Sequence, residues 1–292
     1  MLLRRWIVLL TLCVVGLALP SAAQASKAGS LKKLQGAAAI TLINRQRAAN
    51  GIPPITTVNP AFAGAWCPNE DNGPSGGEED RDLAPTLLWG PDLTPWIDAP
   101  LHEYPMYDPL LTSAGDVNRD ARACFGAGGW TEADNPTTPK FYAFVAPNGP
   151  RHAPISMEAD ELPTTPNQMV GLRAGGLTGP EIILYATGMG IGTTSTNPNV
   201  PPQFVFTYAA SVMARRVGGG VVHGVRIADS KSPGGNYLGV PPDSGGVLVF
   251  PHPLRPHTSY TVTVVWHGAI GTATQHLRFT TGTTRITRES PF

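Results

Sequence analysis

The sequence predicts an α+β chain in two parts, a mixed helical segment followed by an all-β sandwich. Three observations predict it. Only 14% of the 292 residues are charged, while glycine (33) and proline (30) are plentiful, which favours loops and strands over a helical bundle. Apolar residues recur at helical spacing only near the N-terminus. Beyond Pro163, short β-rich runs alternate with Gly/Pro turns. The length suffices for two domains. Lys+Arg and Asp+Glu balance at 21 each, so there is no basic footprint for nucleic acid.

Residues 1–25 read as a secretion signal: Arg4 and Arg5, an apolar run Trp6–Leu19, and a small-x-small site at Ala23-Gln24-Ala25. The apolar run is too short for a membrane anchor, the rest of a twin-arginine motif is missing, and no lipobox surrounds Cys13. The expectation is a secreted, extracellular protein cleaved after Ala25. Cleavage leaves 19 basic against 21 acidic residues and two cysteines, Cys67 and Cys124. In a secreted chain an even pair reads as a disulfide, the alternative being two buried thiols. Closing a 57-residue separation stabilises by roughly 4 kcal/mol in the chain-entropy picture.

Ser30 is placed to cap a helix running LKKLQGAAAITLINRQRAAN, with Leu31, Leu34, Ala38 and Leu42 as its apolar stripe. Gly51 ends it and Pro53-Pro54 prevents continuation. Asn59-Pro60 starts a short helix through Trp66. Residues 67–85 carry six carboxylates and one large apolar side chain, so they read as a long exposed loop.

The stretch Trp96–Gly115, WIDAPLHEYPMYDPLLTSAG, is compact, aromatic and proline-punctuated. Asp98 before Pro100 is a helix start, Leu101 and Tyr104 share a face, and His102 points elsewhere. Asp108-Pro109 breaks the run. Its Trp96, Ala99, Pro100, His102, Asp108, Pro109, Leu111, Thr112 and Gly115 resemble a motif of the bacterial CAP family (cysteine-rich secretory, antigen 5 and pathogenesis-related 1 proteins). Upstream, the N-x-x-R of the helix and the following G-I-P-P-I resemble the opening of that domain, so the likeness spans about Gly36 to Phe125. It implies a CAP-like α-β-α sandwich over residues 36–149.

FYAFVAPNG then reads as a strand entering an Asn-Gly turn, and residues 150–171 as a linker. Strand-like runs follow at 182–187, 203–208, 221–228, 246–251, 260–267 and 276–281. PLRPHTSYTVTV, with Leu254, Pro256 and Tyr260, resembles the tyrosine-corner strand of immunoglobulin-like and fibronectin type III domains. The expectation is an immunoglobulin-like β-sandwich over 172–281 and a tail over 282–292.

His102 is the first candidate for chemistry, as the only histidine in the first half of the chain. The CAP resemblance implies a cleft where this histidine, a second histidine and two glutamates gather around a divalent metal. Zinc suits imidazole, but needs three or four converging ligands. Trp66 and Cys67 stand where the second histidine belongs, and Glu78 and Glu79 in the acidic loop are the nearest carboxylates. Glu70, Asp71, Glu78, Glu79, Asp80 and Asp82 are oxygen ligands for calcium, without EF-hand spacing. Glu103 stands where the family commonly has arginine, and on a helix it points about 100° from His102. Trp89, Trp96, Tyr104, Met106 and Tyr107 either pack a core or rim a cleft for a lipid, as the resemblance implies.

Two serine motifs do not carry catalysis. Gly73-Pro74-Ser75-Gly76-Gly77 matches G-x-S-x-G but lacks the strand and helix of a nucleophile elbow. Asp243-Ser244-Gly245-Gly246 resembles a chymotrypsin-type serine signature without its histidine and aspartate partners, and reads as a turn feeding a strand. His152, His223, His252, His257, His267 and His276 are scattered over strands and turns. The expected function is non-catalytic extracellular binding of a small ligand, a lipid, a cell-wall component or a protein. A hydrolase using His102 with Glu78 or Glu79, and a structural envelope protein, are the alternatives.

Overall fold

Strand β7 (Glu181–Thr187) is buried at every position, so both faces of the sheet that holds it are covered. The computed structural model describes residues 37–59, 85–88, 100–119, 122–127, 138–146, 149–158, 165–188, 208–229, 231–233, 245–268 and 271–287. In it β7 lies between β5 (Lys140–Phe144) and β11 (Gly245–Val249), and β10 (Arg226–Asp229) completes an antiparallel sheet of order β10-β11-β7-β5.

On one face Ile182, Leu184 and Ala186 of β7 meet a second antiparallel sheet. Its order is β13-β12-β8-β9, from β13 (Gly271–Thr280), β12 (Ser259–Gly268), β8 (Tyr208–Arg216) and β9 (Val221–Val222). Along β12 burial alternates as a half-buried strand requires, with Tyr260, Val262, Val264 and Trp266 inside. The Arg255 backbone N–H donates to Tyr260 Oη at 3.1 Å, the hydrogen bond that defines a tyrosine corner. Trp266 Nε1 donates to Gln275 Oε1 at 2.9 Å, and Gln275 Nε2 donates to Tyr142 O at 3.0 Å, joining the two sheets. Trp266 Nε1, Gln275 Oε1 and Gln275 Nε2 thus all have partners, the last across the interface, which favours one packing over alternatives.

On its other face the central sheet offers Ile183, Tyr185, Val247 and Val249 to the N-terminal segment. That segment contributes α1 (Ala37–Ala49), Ile52, Ile55 and the residues around Tyr104–Leu111. Helix α1 ends as its sequence dictates: Gly51 takes φ +70°, Gly51 N–H bonds Ala48 O at 3.1 Å, and Ile52 N–H bonds Arg47 O at 2.9 Å. A third small sheet, β1-β3-β4-β2, comprises β1 (Thr57–Val58), β2 (Pro85–Leu88), β3 (Ser113–Arg119) and β4 (Arg122–Ala127). Only its β1–β3 pairing is parallel.

The expected α-β-α sandwich does not form: strands predominate. Beside α1, the helices among the described residues are two single turns, α2 (Pro100–Glu103) and α3 (Pro166–Met169), and a 3₁₀ turn Tyr104–Tyr107. Pro105 and Pro109 prevent α2 from growing, and the stretch after it pairs as the β3–β4 hairpin, whose weak alternation does not read as strand in the sequence. Residues 31–292 form one compact unit, and β5, placed before the expected junction, belongs to the sheet of β7. Residues 150–171 include β6 (Ser156–Met157), which pairs in parallel with β14 (Arg285–Ile286), and α3, with a Thr165 capping box. Among the described residues no helix is long and apolar enough to cross a membrane.

Candidate functional site

The motif segment is held by a buried arginine. Along α1, Ile40, Ile43 and Arg47 follow one another at three and four residues, and all three are buried, Arg47 completely. The stripe is therefore rotated from the one expected through Leu42, which is only partly buried. Arg47 Nε donates to Pro53 O at 2.7 Å, Nη1 to Met106 O at 2.6 Å and Nη2 to Leu111 O at 3.3 Å. One rigid guanidinium thus fastens the chain on both sides of the Tyr107–Leu110 turn to the helix. Burial lowers its pKa, while Tyr185, Asp108 and Tyr107 favour the charge. Asn44, one turn earlier, exchanges two hydrogen bonds with Ile55: Nδ2 to its carbonyl at 2.8 Å, and its amide to Oδ1 at 2.7 Å.

Beyond α2, Tyr104 and Tyr107 turn inward. Tyr107 stacks on Phe144 with ring centroids 3.4 Å apart and planes at 11°. Tyr104 Oη donates to Leu184 O at 2.8 Å, and Tyr185 Oη donates back to Tyr104 O. Their rings lie 4.4 Å apart. Asp108 Oδ1 accepts from Leu110 N–H at 2.8 Å, closing the turn locally. Glu103 is buried, and its charge, with that of Asp108, contributes to the high pKa values of the neighbouring tyrosines. Desolvation is the largest cause for Tyr104, Tyr107 and Tyr185 alike, and keeps all three phenols neutral.

Tyr104 and Tyr107, read as packing a core or rimming a cleft, are packed in the core. The backbone of His102 lies on α2, beside buried Glu103, while the His102 side chain is outside the described set. Cys124 lies in β4, its backbone in register with Leu87 and Val117. Cys67, Glu78, Glu79, Trp89, Trp96 and most of the acidic loop fall outside the described residues, as do the expected disulfide, the hydrolase pair and the calcium cluster. Among the described residues no three His, Cys, Asp or Glu side chains are grouped to hold a metal.

Sequence reasoning missed Arg47 and Tyr185 as partners of the motif. The signal was available for Arg47, a charge on the apolar stripe of a helix, but not for Tyr185, whose role depends on a contact 81 residues distant. Gly245 also finds its purpose here. A Cβ on Gly245 would lie 1.4 Å from Tyr104 Oη and 2.4 Å from Leu184 O, so glycine is what admits the phenol to the sheet. A separate shallow groove lies between α3, β8 and β10, where Arg226 reaches Val170 O. Compared with known proteins, the chain matches no family model and no curated protein.

Proposed function

We propose that this is a secreted, non-catalytic binding protein that takes its ligand at the segment carrying α2 and His102. The observation that carries this reading is the mounting of the motif segment. Arg47, Tyr104 and Tyr185 spend their polar groups on main-chain carbonyls, and the three buried tyrosines stay neutral. Such groups hold a backbone in place and are poor proton carriers at neutral pH. A ligand site on so fixed a segment gives up little conformational entropy on binding. The resemblance of Trp96–Gly115 to the CAP motif and the leader-like residues 1–25 support an extracellular setting.

The ligand classes in view are a small molecule, a cell-wall component and a protein partner. Native mass spectrometry of the mature protein secreted by its own cells, beside His102→Ala, tests this. A bound mass present in the parent and absent from the variant is the expected result, and its value distinguishes lipid, glycan fragment and metal. Bare polypeptide masses that differ only by the substitution, with envelope fractions retaining both proteins equally, would turn the reading towards a structural envelope protein.

A further inference from the structure

The outer face of the β13-β12-β8-β9 sheet lies on the opposite side of the molecule from the Arg47 cluster. The strand register puts Arg278, Thr261 and Arg215 in one row across it, then His276, Thr263 and Met213, then Thr274, Val265 and Ser211, then Thr272, His267 and Tyr208. Arg215, Arg278, His267, His276, Thr261, Thr272 and Thr274 are exposed. At one end the Tyr208 and His267 rings stack at 5.7 Å, and Lys231 Nζ lies 5.4 Å from the Tyr208 centroid.

No carboxylate belongs to this face among the described residues. Asp and Glu are absent from Ile182–Ala228 and again from Ser244–Arg288, the stretches that supply the three long strands. The nearby Asp229 is buried on β10, where its Oδ2 accepts from Ala209 N–H and its Oδ1 from Lys231 N–H, both at 2.9 Å. Residues 182–292 hold eight Lys+Arg against three Asp+Glu, so the chain's overall neutrality conceals an asymmetry between its two parts.

We propose that this sheet face binds an acidic polysaccharide. Arg215 and Arg278 flank Thr261 about 10 Å apart, two strand spacings. The aromatic pair sits about 20 Å further along the strands, six residues at about 3.4 Å each. Two arginines at one end, and a stacked ring pair with Lys231 beside it at the other, fit an extended chain rather than a single small anion. Between them the outward threonines supply hydroxyls that pair with sugar hydroxyls as donors or acceptors. The face exposes Met213 and, beside Arg215, Val221, but projects no Phe, Trp, Leu or Ile to insert, so an anionic membrane fits less well. This surface is independent of His102, so either proposal can fail alone.

The test uses the mature full chain and polygalacturonate as the probe, with neutral dextran and phosphatidylglycerol vesicles beside it. Binding to polygalacturonate that weakens with salt is expected, with at least a roughly tenfold loss in Arg215→Ser/Arg278→Ser. Thr261→Glu keeps both arginines but places a competing carboxylate between them, and the same loss is expected. Arg173→Ser, removing an exposed arginine away from this face, should bind as the parent does. Urea midpoints of all variants establish that they fold. Equal binding by parent and face variants, equal binding to dextran, or binding to the vesicles alone would each overturn the proposal.

Discussion

Tyr104 and Tyr185 lock the motif segment to the central sheet through two hydrogen bonds of opposite sense. Tyr104 Oη donates to Leu184 O at 2.8 Å, while Tyr185 Oη donates to Tyr104 O. The two tyrosines are 81 residues apart in sequence. Both rings are buried, so water cannot replace either bond.

Tyr104→Phe should therefore leave the Leu184 carbonyl with a lost partner and cost about 1–3 kcal/mol. At about 2–4 °C per kcal/mol for a chain of this size, that is a readily measured fall in Tm. Gly245→Ala should cost more, and Tyr104→Phe should not rescue it, because the new Cβ would still meet Leu184 O at 2.4 Å. Urea unfolding of the two single variants and the double variant measures the coupling. Full rescue would show that the phenol alone demands the glycine.

Alkaline pH should unfold the protein through the same residues. Burial holds the pKa values of Tyr104, Tyr107 and Tyr185 well above the ordinary 10. The unfolded chain releases these protons first, so stability is complete below about pH 10 and declines as pH rises towards the folded values. Each tyrosine contributes up to about 1.4 kcal/mol per pH unit within that window. Arg47, whose pKa burial lowers, acts in the opposite sense. Urea midpoints should stay level with respect to these groups from pH 7 to about 9 and fall above 10, less steeply in Tyr104→Phe.

Asn44→Ala removes both bonds to Ile55 and should destabilise by about 2 kcal/mol. Arg47→Lys keeps the charge but cannot reproduce the planar fork that reaches Pro53, Met106 and Leu111. It should cost more than Asn44→Ala, and hydrogen exchange should quicken first in residues 104–111. Exchange that rises uniformly across the chain would show that Arg47 supports the whole fold rather than this segment.

Much was legible where a short-range rule operates. The end of α1 at Gly51 follows from glycine's tolerance of positive φ, and the burial alternation of Tyr260, Val262 and Val264 follows from the two-residue strand period. The layer arrangement was not legible. Helical spacing in residues 31–50 and a family-like motif at 96–115 pointed to an α-β-α domain, whereas the segment completes its core on a face of the sheet formed by β5, β7, β10 and β11. Gly245 shows the same limit: it belongs to a protease-like signature, and its role is to leave room for Tyr104.

By itself, the sequence determined the local turns, the strand-forming character of the second half, its acid-free stretches and the tyrosine corner, because each depends on residues near one another in the chain. Only the tertiary structure decided that β7 is buried on both faces, that a charged Arg47 sits among backbone carbonyls, and that Tyr104 meets Tyr185. Those outcomes rest on contacts between distant residues. They are set by which apolar surfaces cover one another and which buried polar groups find partners, and neither leaves a periodic trace in the sequence.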